Sequence, residues 1–405
     1  MSAYEPRSFT FRQLMEFDAC TRCGECVVWC PTFAEKSDLD AITPLRKIEM
    51  VRRFIQRQHG LPARIFGPRP PSRAALESHS AGTYACTLCG RCAVVCPVHI
   101  DTRDMWISMR EELVQQGIYP GVFDDLRGTI TTHYNISGDP NEDRLIWSQN
   151  LPRVPDGVKG KTQAEVVYFV GCVASFYPQS YSVPQSMVEI LDRAEVDFLT
   201  LGGEEWCCGF PLIIAGMGRA ANEAIQHNVE TVRRTGAKRL VAACPSCYHT
   251  WRDDYPRILG EPLGFEVLHA AELLEEVLGE GRVRLDPLEQ RVTYHDPCDL
   301  GRTSGIYEAP RNVIRGVPGL TLVEMEHHHD YSLCCGGGGD VEMGDAELTE
   351  AVARSRIAEA KATDAKVLLS ACQQCKRTLA IGARRERVRI RVMDIAELVA
   401  RQLID

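Results

Sequence analysis

The chemistry on offer lies in 18 cysteines spread over 405 residues, and their spacing is regular. Ten of the 18 fall in a doubled pattern in the second half. Cys172 is followed by 34 residues and Cys207-Cys208-Gly209, and 35 residues separate Cys208 from Cys244-Pro-Ser-Cys247. The order recurs as Cys298, 35 residues, Cys334-Cys335-Gly336, 36 residues after Cys335, and Cys372-Gln-Gln-Cys375. Corresponding cysteines lie 126 to 128 residues apart. The other eight form two runs, Cys20, Cys23, Cys26, Cys30-Pro31 and Cys86, Cys89, Cys92, Cys96-Pro97. Thiolates in such numbers bind soft metals. Disulfides suit short secreted chains. Closed zinc sites prefer two CxxC pairs or Cys/His mixtures, not runs of four or adjacent pairs.

Both upstream runs read C-x2-C-x2-C-x3-C-P, the bacterial ferredoxin run for a [4Fe–4S] cubane. Thiolates two residues apart on a tight loop wrap one face of a cube, and the fourth cysteine is expected where a helix starts. In two-cluster ferredoxins that fourth cysteine serves the other cluster. The expected sets are therefore Cys20, Cys23, Cys26 and Cys96 for one cubane, and Cys86, Cys89, Cys92 and Cys30 for the other.

These ligands need elements to position them. Between the runs, Thr43 caps, Pro44 suits the first helical position, and Ile48, Val51 and Ile55 form a helical stripe. A second helix is expected from Asp101 to Gln116, stopped by Gly117. Gly60 to Ser80, rich in Pro and Arg, reads as surface loop. The turn-rich stretch around 131–163 reads as a linker, with Arg144 to Trp147 free to pack on either side. Beyond it, strands alternate with helices in two copies, 164–285 and 286–405, and 1–130 precedes them as an α-helical domain. Expected strands are Glu165–Val170, Val196–Leu201, Lys238–Ala243 and Phe265–Leu268, then Arg291–His295, Leu320–Met325, Lys366–Ala371 and Arg389–Val392. The fold class is α+β multidomain, the repeats having parallel sheets with helices on both faces. Cysteine groups then lie past strand C-termini, where open α/β sheets gather ligands. An adjacent cysteine pair can face one metal group only if the chain turns sharply, which Gly209 and Gly336 permit.

A net charge of −9 argues against nucleic acid as partner. No apolar run is long enough to span a bilayer, and Met1 to Arg7 has no signal core. A cytoplasmic protein is expected, peripheral on the inner face of the cytoplasmic membrane through a partner. No Walker loop is present and no GxGxxG opens a helix after a strand, so neither flavin nor nicotinamide is expected on this chain.

The long helical insertion between the two runs resembles the α-helical ferredoxin of succinate dehydrogenase iron–sulfur subunits and of the C subunit of heterodisulfide reductase. The Cx34CCx35CxxC pattern, with Tyr168-Phe-Val-Gly-Cys172, Tyr294-His-Asp-Pro-Cys298 and Cys244-Pro-Ser-Cys247-Tyr248 around it, resembles the cysteine-rich CCG domain. That domain occurs in the B and D subunits of heterodisulfide reductase and in the glycolate oxidase and anaerobic glycerol-3-phosphate dehydrogenase iron–sulfur subunits. It also occurs in the K subunit of the sulfite-reductase-linked membrane complex and in cytoplasmic subunits of sulfate reducers' transmembrane complexes. A two-cluster ferredoxin followed by two CCG copies resembles the D arrangement, a fusion of C and B parts. The resemblance implies two noncubane [4Fe–4S] clusters. One would sit on Cys172, Cys207, Cys208, Cys244 and Cys247, the other on Cys298, Cys334, Cys335, Cys372 and Cys375.

Two functions follow from the resemblance. In one, electrons pass through the cubanes to the CCG clusters, which reduce or form a disulfide of a small thiol or a protein. In the other, the chain is a conduit within a flavin dehydrogenase or quinone-linked complex. Partners are then a cytochrome b-type membrane subunit, a flavoprotein or a small redox protein. His329, in His327-His328-His329-Asp330, is a proton donor on one reading and part of a solvated turn on the other. His295, before Asp296 and Cys298, is an acid or a structural hydrogen-bonder at a strand end. Trp29 and Trp206 shield ligands from water, and Arg384 to Arg391 form a solvated face or a docking patch.

Overall fold

The computed structural model describes residues 6–404. They fall into two compact units. One comprises the chain up to Asp125 together with Pro211–Arg219 and Gly336–Val352; the other comprises Leu126–Phe210, Ala220–Cys335 and the chain from Ala353 on.

The first unit is helical. Thr10 caps Phe11–Ala19 through a reciprocal box with Gln13. Thr43 caps Pro44–His59, accepting from the Arg46 N–H at 3.1 Å, and buries Ile48, Val51 and Phe54 on one face. Thr102–Gln115 buries Met105, Trp106, Met109 and Leu113. The loop expected from Gly60 to Ser80 is instead largely helical, as Leu61–Phe66 and Arg73–Tyr84. Ser72 starts the second of these by accepting from the Ala75 N–H at 3.2 Å, and Leu76 and His79 turn inward. The buried Arg110 guanidinium fastens this unit. It donates to the carbonyls of Thr83, Cys86, Ile214 and Gly339 at 2.9 to 3.2 Å. Two of these acceptors follow Cys207-Cys208 and Cys334-Cys335 in sequence, so one side chain gathers three separate stretches of backbone.

The second unit carries two four-stranded parallel sheets, ordered β2-β1-β3-β4 and β6-β5-β7-β8. The strands are β1 (Val166–Phe169), β2 (Phe198–Leu199), β3 (Arg239–Ala242) and β4 (Glu266–His269), then β5 (Gln290–His295), β6 (Leu320–Leu322), β7 (Val367–Ser370) and β8 (Arg391–Asp394). All eight expected strands exist, mostly shorter, because pairing stops where the chain leaves for a cysteine loop. The central strands β1 and β7 are buried throughout, as continuous apolar runs in parallel sheets should be. Each sheet ends in a helix with the same start: His269 with Glu272 caps Ala270–Gly279, and Asp394 with Glu397 caps Ile395–Ala400. The repeats pack reciprocally. The long helix Ser182–Arg193 of copy one lies against Ile395–Ala400 of copy two, and Ala270–Gly279 lies against Glu308–Arg315. Exchange of this kind has the form of an approximate two-fold relation between the copies.

The stretch 131–163 carries a 3-10 helix, Asn141–Asn150, with Arg144, Trp147 and Ser148 buried. Arg384 and Arg385 end a helix, Gln373–Arg385. After it Val388, Ile390 and Val392 pack on the core while Arg387, Arg389 and Arg391 face out, a solvated face. No described helix is long and apolar enough to cross a membrane.

Candidate metal centres

All 18 cysteines are free thiols. In the first unit the two runs adopt one backbone: Arg22 and Leu88 take φ of 60° and 52°, and Gly24 and Gly90 take 85° and 75°. Each loop therefore curls through two left-handed residues and aims its thiols inward. Cys30 is the N-cap of the helix Pro31–Glu35, as expected of the fourth cysteine. Cys96 is not; a turn follows it and the next helix begins only at Thr102. One cavity is lined by Cys20, Cys23, Cys26 and Cys96, and Cys92 also reaches it. The other is lined by Cys30, Cys86, Cys89 and Cys92. The electrostatics group the thiols alike. Burial first, then the charges of Cys20, Cys23 and Cys96, pushes Cys26 up to about 12. Burial, then Cys86, Cys89 and Cys30, raises Cys92, against a 2.9 Å hydrogen bond to Thr102. The fourth cysteine of each run thus stands with the first three of the other.

In the second unit Cys172, Cys244, Cys298 and Cys372 come two or three residues after the ends of β1, β3, β5 and β7. Cys207 and Cys334 follow longer loops after β2 and β6. Gly209 and Gly336, with φ of 86° and 90°, supply the sharp turn after each adjacent pair. In the first copy the thiols bond in a chain, Cys172 to Cys207, Cys207 to Cys208, Cys208 to Cys247 and Cys247 to Cys244. Bonds from Cys207 and Cys247 lower Cys208 to about 6. In the second copy Cys335 is lowered by bonds from Cys334 and Cys375, with His295 adding to them. Cys298 is half-buried, no hydrogen bond links its thiol to the other four among the described residues, and His295 stands beside Cys335 and Cys375. The two copies meet at their CxxC ends. Gln373 donates to the Val170 carbonyl at 3.2 Å, and a Cβ on Gly171 would lie 3.3 Å from the Cys247 Sγ and 3.8 Å from Gln373. A bond from Cys375 pulls Cys372 down, but burial and the nearby Cys244 and Cys335 together push it up to about 11.

These surroundings fit iron–sulfur clusters by donor chemistry. N–H groups aim at sulfur as an acceptor: Gly209 at Cys207 (3.5 Å), Cys375 at Cys372 (3.3 Å), Ile100 at Cys96 (3.5 Å) and Arg144 at Cys172 (3.3 Å). Such donors stabilise thiolate, the form that binds metal. Arg144 also pairs with Glu205 at 2.8 Å, both side chains 1% exposed. Glu205 in turn accepts from the Val170 and Gly171 N–H groups at 2.8 Å, bracing the turn into Cys172. Neither residue carries a sequence signal, since they sit in an unpatterned stretch and a loop. His295 Nδ1 accepts from the Arg356 Nε–H at 3.0 Å, so its ring proton is at Nε2, facing Cys335 and Cys375. His329 lies elsewhere: its ring bonds Glu308 (3.1 Å) and His328, and its N–H bonds Asp296 (2.8 Å). Trp206 is stacked between Tyr134 and His227, with centroids at 3.6 and 3.7 Å, and Trp29 lies under Arg91.

Comparison with known proteins agrees with this layout. Residues 16–100 match the model of a 4Fe-4S dicluster domain, and 166–252 and 292–380 match that of a cysteine-rich domain. The chain is similar to the D subunit of the dihydromethanophenazine:CoB–CoM heterodisulfide reductase of Methanosarcina mazei, 39% identical over 98% of this chain and 97% of that one. It is similar to a "Probable membrane-anchored ferredoxin" of Chromohalobacter salexigens, 30% identical over 98% of this chain and 62% of that one. It is also similar to the EtfAB:quinone oxidoreductase of Syntrophomonas wolfei, 26% identical over 96% and 59%. Among solved structures, an aspartate racemase homologue from Pyrococcus horikoshii reaches a TM-score of 0.26 at 16% identity, over 58% of this chain and 96% of that one, a likeness too slight to build on.

Proposed function

This chain belongs to the family of heterodisulfide reductase D subunits, and we propose that it is the component that takes electrons singly and uses them in pairs on a disulfide. The supporting observation is the juxtaposition of two cysteine sets at the facing CxxC ends, with Cys372 in the field of Cys244. Reduction of RSSR′ to two thiols takes two electrons and two protons. Two adjacent one-electron centres match that count.

Cys20, Cys23, Cys26 and Cys96 would hold one [4Fe–4S] cluster, and Cys30, Cys86, Cys89 and Cys92 another. Cys172, Cys207, Cys208, Cys244 and Cys247 would hold a third, of the noncubane kind, and Cys298, Cys334, Cys335, Cys372 and Cys375 a fourth. When bound, such clusters supply one-electron transfer and a thiophilic iron surface. The protein's part is to fix the thiolates. Arg144 donates to the Cys172 sulfur and opposes the rise that the Cys207 bond and burial impose on that thiol, and the glycine turns bring each adjacent pair onto one face. His295 keeps a proton at Nε2 beside Cys335, where a departing thiolate would need one. Electrons would come from a cytochrome b-type membrane subunit or a flavoprotein, at the inner face of the cytoplasmic membrane. A conduit role without substrate chemistry is the second reading, supported by the likeness to the EtfAB:quinone oxidoreductase.

Steady-state assay separates the two. With reduced benzyl viologen and the mixed disulfide of CoB and CoM, two viologens should be oxidised per disulfide. Cys208→Ser and Cys335→Ser should abolish this while the upstream centres still accept electrons. Absence of turnover in the complete complex, with all centres loaded, favours the conduit.

A further inference from the structure

Lys47 is fully buried in the first unit, and its Nζ has no hydrogen-bond partner among the described residues. An ammonium in that position is costly unless an anion faces it. Its one aromatic contact among the described residues, with Nζ 5.2 Å from the Trp106 ring centroid, repays only part of that cost. Thiols stand around it, with a second buried cation, Arg91, on the wall of the same cavity. Lys47 and Trp106 line the same cavity as Cys30, Cys86, Cys89 and Cys92. Its neighbour His79, equally buried, is held at about 3 by burial and by Lys47, so the imidazole adds no second cation beside it. The other cavity has no such buried cation among the described residues. Arg22, which lines it, is 57% exposed and lies 3.6 Å from Glu49. The two loops share one backbone geometry, so curl alone does not distinguish the centres.

We propose that Lys47 is the counter-cation of the Cys30/Cys86/Cys89/Cys92 centre and raises its reduction potential relative to a neutral side chain there. The step is one electron in, from an upstream donor, with no proton taken up and no bond broken. Reduction adds a negative charge to a site already carrying four thiolates. Burial penalises that charge, and a buried ammonium with no other anionic partner among the described residues offsets the penalty. Lys47 is thus a positioning and tuning residue, not a catalytic one. The proposal rests on the reading that the eight upstream cysteines hold two clusters.

The test is a potentiometric titration of the purified holoprotein followed by electron paramagnetic resonance, for wild type, Lys47→Met and Lys47→Arg. Cys86→Ser identifies the signal belonging to this centre. The midpoint of that signal should move negative in Lys47→Met, stay near wild type in Lys47→Arg, and leave the other upstream signal unmoved in both. No movement in Lys47→Met, or equal movement of both signals, overturns the proposal. Where Lys47→Met fails to load this centre, Lys47→Arg decides: restored iron and potential support the role, and failure to restore them overturns it. A wild-type protein lacking two upstream signals would instead overturn the two-cluster reading, a distinct result.

Discussion

At the scale of single residues, the buried Arg144–Glu205 pair carries most risk, since each leaves the other stranded if removed. Arg144→Met should cost about 3–5 kcal/mol, because Glu205 would lose its cation in a place sealed from solvent. Arg144→Met combined with Glu205→Gln should recover part of that loss, since the carboxamide removes the stranded charge but keeps only one of the two turn hydrogen bonds from Val170 and Gly171. Chemical denaturation of the three proteins measures it; equal loss in single and double variants would rule the pairing out. Asp340 offers a pH test. Its Oδ2 is sealed from solvent without a hydrogen-bond partner among the described residues, and burial lifts the carboxyl to about 7 against the pull of Arg110. The folded pKa lies above the unfolded one, so between about pH 4 and 7 the unfolded chain sheds a proton that the folded chain keeps. Stability therefore falls over that window and is flat above it. Asp340→Asn, compatible with the left-handed φ of 57°, should remove the fall, with a gain on the order of 2 kcal/mol at pH 8 that vanishes near pH 4. A gain that persists at pH 4 would contradict this. Neither residue is legible in the sequence. A buried charge is defined by what surrounds it, and Arg144 and Asp340 meet their surroundings only after distant stretches of chain converge.

At the scale of elements, much more is legible. Apolar runs such as Val166 to Val170 end one glycine before a cysteine, so strand, turn and ligand can be read together. The capping pairs His269/Glu272 and Asp394/Glu397 repeat with the helices they start. The helices between 60 and 84 escape the sequence because proline and arginine dominate the composition, although Ser72 offers a capping signal. Cys298 differs for a reason that spacing could not reveal: its β-strand ends in His295, which takes a place beside Cys335, where copy one has Phe169 at the matching position. The segment after Cys335 gives an element-level test. Gly339 has a φ of 64°, and a Cβ there would meet the Cys86 carbonyl oxygen at 2.3 Å. Gly339→Ala should therefore destabilise the first unit by roughly 1–2 kcal/mol or more and broaden the signal of the Cys86 centre. Gly344→Ala, with no described atom within 4 Å of its Cβ, is the control and should be neutral. A neutral Gly339→Ala would show that this contact places no constraint on the loop.

For the whole molecule, the two copies, the reciprocal helix packing and the facing CxxC ends all serve one claim, that two cysteine centres act on one disulfide. The doubling is plain in the sequence; the facing arrangement is not, because it depends on Gln373 reaching Val170 across 203 positions. Chemical analysis of the holoprotein should find about 16 irons per chain if all four sites hold [4Fe–4S] clusters. The direct test is electron paramagnetic resonance of the holoprotein at defined potential, before and after addition of a disulfide substrate. The account predicts a new paramagnetic species that appears only with the disulfide and is lost in Cys208→Ser and Cys335→Ser, but not in Cys23→Ser. An unchanged spectrum, with every centre loaded and reducible, would contradict the claim and leave the chain an electron conduit.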